Sequence, residues 1–165
     1  MPITTFDSLP DDARTWVFGS DRPLDAPAST RLLDVVDAHL GQWAAHGAPL
    51  TSARDWRDDR FLTIAVDQRT AGASGCSIDT HFRKLQTLEH ELGASMVGGG
   101  RVFYRDAAGQ VQSADRATFT DLADRGAVTA DTTVFDLTVQ TLGAWRAGFE
   151  RPARASWHGQ LMARG

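Results

Sequence analysis

The chain reads as an α+β protein in which helices pack on one face of an antiparallel sheet, and three observations predict this. Two strand-like runs, 50–57 and 61–66, are separated only by Asp58-Asp59-Arg60, a hairpin turn. Two segments with apolar residues three and four apart, near 30–46 and 77–92, flank that hairpin. Shorter β-rich runs at 14–19 and 101–105 enclose the set.

Each element has a local cause. The run 14–19 is closed by Gly-Ser-Asp-Arg-Pro, a turn signal, and alternates Trp16 and Phe18 on one face. Those rings are expected to cover the helix-free side of the sheet. Ser29 or Thr30 can cap the first helix, whose Leu33, Val36, Leu40 and Trp43 share a face, and Gly47 stops it. The second helix carries Ile78, Phe82, Leu85 and Leu92 on one stripe with Leu88 beside it, and ends at Gly93. Gly98-Gly99-Gly100 reads as a hinge before the strand 101–105. The order β-α-β-β-α-β is the split βαβ arrangement of a ferredoxin-like sandwich, expected over residues 1–100.

Residues 101–148 read as a second, smaller unit. Asp106 to Gly109 is a turn that lets 111–113 pair back on 102–105. Asp115 can cap a short helix with Phe119, Leu122 and Ala123 inward, and Gly126 supplies a left-handed stop. The β-branched run 132–138 is a final strand, and the tail 149–165 is expected to pack back, with Trp157 covering apolar sheet.

Composition sets the class. The 165 residues are 42% hydrophobic and 23% charged, as in ordinary soluble proteins, and suffice for one domain or one domain with an appendage. A net charge of −4 argues against a general nucleic-acid or anionic-membrane binder. All basic residues but Lys84 are arginine, a skew that fits a G+C-rich genome. A lone cysteine suits a reducing cytoplasm, and no signal peptide or membrane-spanning run is expected.

The chemistry-bearing groups concentrate on the loop from Asp67 to His81. Cys76 stands where a strand hands over to a helix, so its thiol would meet unpaired N–H groups and the positive end of the helix dipole. Cys76 is the candidate nucleophile, with Asp67 or His81 as base. Ser74, Gly75, Ser77 and Asp79 are candidate ligand-binding residues, with a small anion expected at 74–78. The bland alternative has Ser77 and Asp79 as caps and Cys76 as a small packed residue. His39 and His46 share a helix face and His81 and His90 do not, but no ligand spacing for zinc occurs, so neither metal nor cofactor is expected.

Two resemblances add to this reading. Tyr104, Gly109, Val111, Phe119, Leu122, Gly126, Val128, Asp131-Thr132, Val134-Phe135 and Trp145 resemble small GYF-like domains, which bind proline-rich peptides. The Gly-Tyr-Phe signature itself is absent, and Gln112-Ser113 stands where Gly-Pro precedes the helix. Over its whole length the chain resembles an uncharacterised bacterial family commonly labelled "ABC transporter ATPase". The matching residues are Trp16 with Arg22, Trp43 to Gly47, Ala73 to Asp79, Asp131-Thr132, Val134-Phe135, Pro152-Ala153 and Ser156-Trp157-His158. From that set Arg22, Trp157 and His158 join the candidate ligand-binding residues. No Gly-x-x-x-x-Gly-Lys-Ser/Thr loop is present, so ATPase activity does not follow from the label.

Two functions of different class are expected. In the first, the protein is a binding or adaptor module with a ligand or peptide in an aromatic-lined groove between its two parts, an idea suggested by five tryptophans. In the second, it is a small thiol-dependent enzyme or redox-responsive protein using Cys76.

Overall fold

The computed structural model describes residues 6–42, 44, 45, 48, 49, 51–67, 83, 86–88, 96, 97 and 101–162. The elements in chain order are β1 (Arg14–Ser20), α1 (Ala26–Gln42), the short ribbon β2 (Ala44–Ala45) with β3 (Ala48–Pro49), β4 (Ser52–Arg57), β5 (Phe61–Val66) and β6 (Met96–Val97). Then come β7 (Val102–Arg105), β8 (Val111–Ala114), α2 (Arg116–Asp124), β9 (Thr133–Phe135), α3 (Leu142–Gly148) and β10 (Glu150–Pro152). Mixed helices and two four-stranded antiparallel sheets make this an α+β protein.

The first sheet runs β4-β5-β1-β6. Its centre is the long register of β1 on β5, with Trp16 opposite Ile64 and Phe18 opposite Leu62. The fourth strand is Met96–Val97, not the expected 101–105. Val102–Arg105 instead joins a second sheet, ordered β10-β9-β7-β8, because its partners β8 and β9 lie close by in sequence and closing a short loop costs less entropy.

Strand β5 is buried from end to end, and its alternation explains why. Leu62, Ile64 and Val66 turn toward α1, meeting Leu32, Val36 and Leu40. On the opposite face Phe61 meets Phe103, Phe135, Leu137 and Phe149, and Ala65 meets Leu9, Ala13 and Leu142. A strand covered on both faces needs a near-continuous apolar run, and Phe-Leu-Thr-Ile-Ala-Val is one, interrupted only by Thr63. The second sheet and the chain around α3 are thus the cover for the helix-free face.

Trp16 and Phe18 lie on the α1 side, the reverse of the face expected for them. The helix packs where Trp16 and Phe18 of β1 lie beside Leu62, Ile64 and Val66 of β5, which leaves Val17 and Phe61 to face the second sheet. Gly19 allows the two sheets to approach: a Cβ there would stand 2.6 Å from Phe103 Cζ and 3.1 Å from Leu137 Cδ2. The first helix also starts earlier than Ser29 or Thr30. Asp25 Oδ1 accepts from the Ala28 N–H at 2.9 Å, and Pro27 sits in the first turn, where its missing N–H costs nothing. Its most buried stripe is Leu32, Val36 and Leu40, with Leu33 at the margin; the Trp43 side chain, the 77–92 stripe and the glycines at 98–100 lie outside the described residues apart from 83 and 86–88.

The second unit follows its local signals closely. Asp106 closes the β7–β8 turn, its carboxylate accepting from the N–H groups of Ala108 and Gln110 and from the Gln112 amide. Those hydrogen bonds, Gln112 first, hold its pKa below the usual carboxylate value. Asp115 caps α2 by accepting from the Thr118 N–H at 2.7 Å, and Gly126 ends it at φ 76°. Phe119 is buried against Val102, Val128 and Val134, whereas Leu122 and Ala123 are only half buried. Among the described residues no helix is long and apolar enough to cross a membrane.

Candidate functional site

The tail is placed by backbone bonds that its sequence does not announce. After β10, the Ala153 N–H donates to the Thr132 carbonyl at 2.9 Å and the Arg154 N–H to Ala130 at 3.0 Å. Two 3-10 turns follow, Ala153–Ala155 and Trp157–Leu161. Thr120 of α2 pins the second turn by donating its hydroxyl to the Leu161 carbonyl at 2.7 Å. Between this tail, the end of α2 and the loop before β9 opens a cavity of about 660 Å³. Small residues (Ala123, Gly126, Ala130, Gly159) give it width, Val128 and Met162 are its apolar surface, and Thr129, Ser156 and Gln160 bring polar groups. Arg154 stands at its edge, paired with Asp131.

Behind Ser156 lies His158, fully buried. Its Nδ1 is 2.8 Å from Ser156 Oγ, its ring stacks on Trp157 at 3.9 Å, and Phe119 meets it edge-on. Arg116 lies over the Trp157 ring at 4.9 Å. Among the described residues neither His158 Nε2 nor Trp157 Nε1 finds a hydrogen-bond partner. Burial pulls the His158 pKa down to about 4, with Asp136 opposing and Arg116 reinforcing the shift. The imidazole is therefore neutral near pH 7. A serine hydroxyl bonded to an imidazole has the contact of a nucleophile and its base, but a base titrating near pH 4 is poorly matched to take that proton at neutral pH.

The other sequence-derived site residues are scattered. Ser74, Gly75, Cys76, Ser77, Asp79 and His81 lie outside the described residues. Asp67 is 6% exposed at the end of β5, its N–H donating to the Thr51 carbonyl at 2.9 Å. Arg22 is exposed in the turn after β1 and does not line the cavity by the tail. Trp157 and His158 are brought together, as internal packing on α2 and the second sheet and not as an exposed edge. Sequence reasoning missed Thr129, Gln160 and Met162, because a groove made of loop backbone and small residues has no periodicity to reveal it.

Among the described residues no group of three or more His, Cys, Asp or Glu side chains comes together to hold a metal. No protein family, curated protein or solved structure matches the chain.

Proposed function

We propose that the protein is a small binding or adaptor module that holds a proline-rich peptide in the groove between its tail and α2. The observation that carries this reading is the 660 Å³ cavity, of a size usual for ligand sites, open to solvent yet built on a packed hydrophobic base. The face between the two sheets, where a groove was expected, is filled by Phe61, Phe103, Phe135 and Phe149. That packing moves the proposed ligand onto the second unit. The hairpin–helix–strand order of that unit supports the GYF-like resemblance, whose best-known members bind such peptides. The antiparallel order β4-β5-β1-β6 likewise supports reading the first part as a ferredoxin-like sandwich. A cytoplasmic bacterial setting belongs to the same proposal: the single cysteine suits a reducing cytoplasm, and the bacterial origin rests on the whole-length resemblance.

The test is an amide chemical-shift titration with a short proline-rich peptide. Saturable shifts should centre on Thr129, Gln160 and Met162, and Ala130→Trp, which fills the groove, should abolish them while leaving the circular dichroism unchanged. Saturable shifts elsewhere, or none, would sink the reading.

The thiol reading is favoured by one specific observation, the burial of Asp67 just past the end of β5, nine residues before Cys76 in sequence. Its test is the pH profile of iodoacetamide labelling, with Cys76→Ser as the blank. An apparent pKa at or above about 8.5 removes it.

A further inference from the structure

The turn joining β4 to β5 carries a buried charge that no carboxylate among the described residues contacts directly. Arg60 is 6% exposed. Its Nη1 donates to the Ser20 carbonyl at 3.2 Å, and its own carbonyl accepts from the Ser20 N–H at 2.8 Å. Among the described residues no carboxylate stands within 4.0 Å of this guanidinium. Buried arginines ordinarily meet a carboxylate, because an unmatched charge out of water is strongly unfavourable. Burial lowers the Arg60 pKa; Asp21 offsets part of this and Arg101, a like charge, adds to it.

Arg101 reaches the same place from the second sheet. Its Nε donates to Ser113 Oγ at 3.2 Å, and that hydroxyl donates to the Asp21 carbonyl at 3.0 Å. Arg22 belongs to the same turn, its N–H 3.4 Å from Ser20 Oγ. Arg60 and Arg101, from segments distant in sequence, therefore meet at the turn 20–22, of which Arg22 is an exposed member. Two carboxylates, Asp21 and Asp115, lie within electrostatic reach of them.

We propose that Arg60, Arg101 and Arg22 hold a phosphate group at the seam between the two sheets, separate from the groove beside the tail. A dianion here adds to the partial compensation that Asp21 gives Arg60 and relieves its repulsion from Arg101. Guanidinium forks match phosphate oxygens in geometry, and a partly desolvated site strengthens the contact. The protein contributes Arg60 as a preset donor, held by the Ser20 carbonyl before any ligand arrives, and Arg22 as an exposed clamp at the rim.

Calorimetric titration of the full chain with inorganic phosphate, at fixed ionic strength, tests this. Saturable one-site binding is expected, weakened about tenfold or more by Arg60→Gln or Arg101→Gln and less by Arg22→Gln, as for loss of charge-assisted bonds. Phosphoserine in place of inorganic phosphate distinguishes an esterified group from the free ion, and binding of either supports the site. Should Arg60→Gln not fold, Arg101→Gln and Arg22→Gln decide. No saturable binding, unchanged affinity in Arg101→Gln, or acetate competing as well as phosphate overturns the proposal.

Discussion

Single residues in this protein illustrate how far one side chain can be held from its usual state. His158 is kept neutral by burial, with a pKa near 4 against an ordinary value of 6.5. Because the folded form resists the proton, the unfolded chain binds more of it between pH 4 and 6.5. Stability is therefore full above pH 6.5 and falls as the pH drops toward 4, by up to about 3 kcal/mol. Urea titrations across that range should show this slope, and His158→Phe should flatten it. Asp59 is strained in the other direction, at φ 55° in the β4–β5 turn, where only glycine is at ease. Asp59→Gly should stabilise by about 0.5 kcal/mol in the same titration, since the Leu24 N–H bond to its carbonyl is kept. At Gly19 the added methyl of an alanine meets the Phe103 ring at 2.6 Å, and overpacking of this kind costs about 1–3 kcal/mol.

At the scale of elements, burial and not hydrophobic periodicity separates α2's structural residues from its marginal ones. Phe119 and Leu122 look equivalent on the apolar stripe, but Phe119 is fully buried and Leu122 is half exposed. Phe119→Ala should cost about 3–5 kcal/mol, while Leu122→Ala should fall below the roughly 2–5 kcal/mol of a fully packed leucine. Equal losses in a denaturant series would mean that the tail does not rest on Phe119. The hairpin β4–β5 shows the complementary lesson. Its turn was legible as three polar residues, yet Arg60, the third of them, is among the most buried charges described, because loop 20–24 closes over it through Ser20 and Leu24.

The whole molecule is held by aromatic packing between sheets more than by charge. Phe61 of the first sheet touches Phe103, Phe135 and Phe149 at ring-centre distances of 5.2, 4.5 and 5.4 Å. The ionic link across the same seam, Arg105 to Asp58 at 3.3 Å, is partly exposed, as is the Arg105–Glu150 pair at 2.9 Å within the second sheet. Arg105→Ala should cost no more than about 1 kcal/mol, as surface pairs do. Phe61→Ala should cost about 3–5 kcal/mol and lower the unfolding midpoint of both sheets together. Near-ultraviolet and far-ultraviolet circular dichroism should give coincident curves. A variant in which one sheet melts alone would show that the two are independent.

Features that depend on neighbours along the chain can be read directly from it. Asp115 and Gly126 mark the ends of α2, Asp106 and Gly109 mark the β7–β8 turn, and the largely apolar run of 61–66 marks a strand of the hairpin. Caps, turns and alternation act over three or four residues, so the code for them is local. Tertiary structure alone decided that β7 leaves the first sheet for the second, that Trp16 and Phe18 turn toward α1, that Arg60 is buried and that the tail encloses a groove beside α2. Each of these depends on which of two apolar faces meets which partner. Such a choice is settled by the fit of surfaces brought together from distant parts of the chain, and no single stretch of sequence contains it.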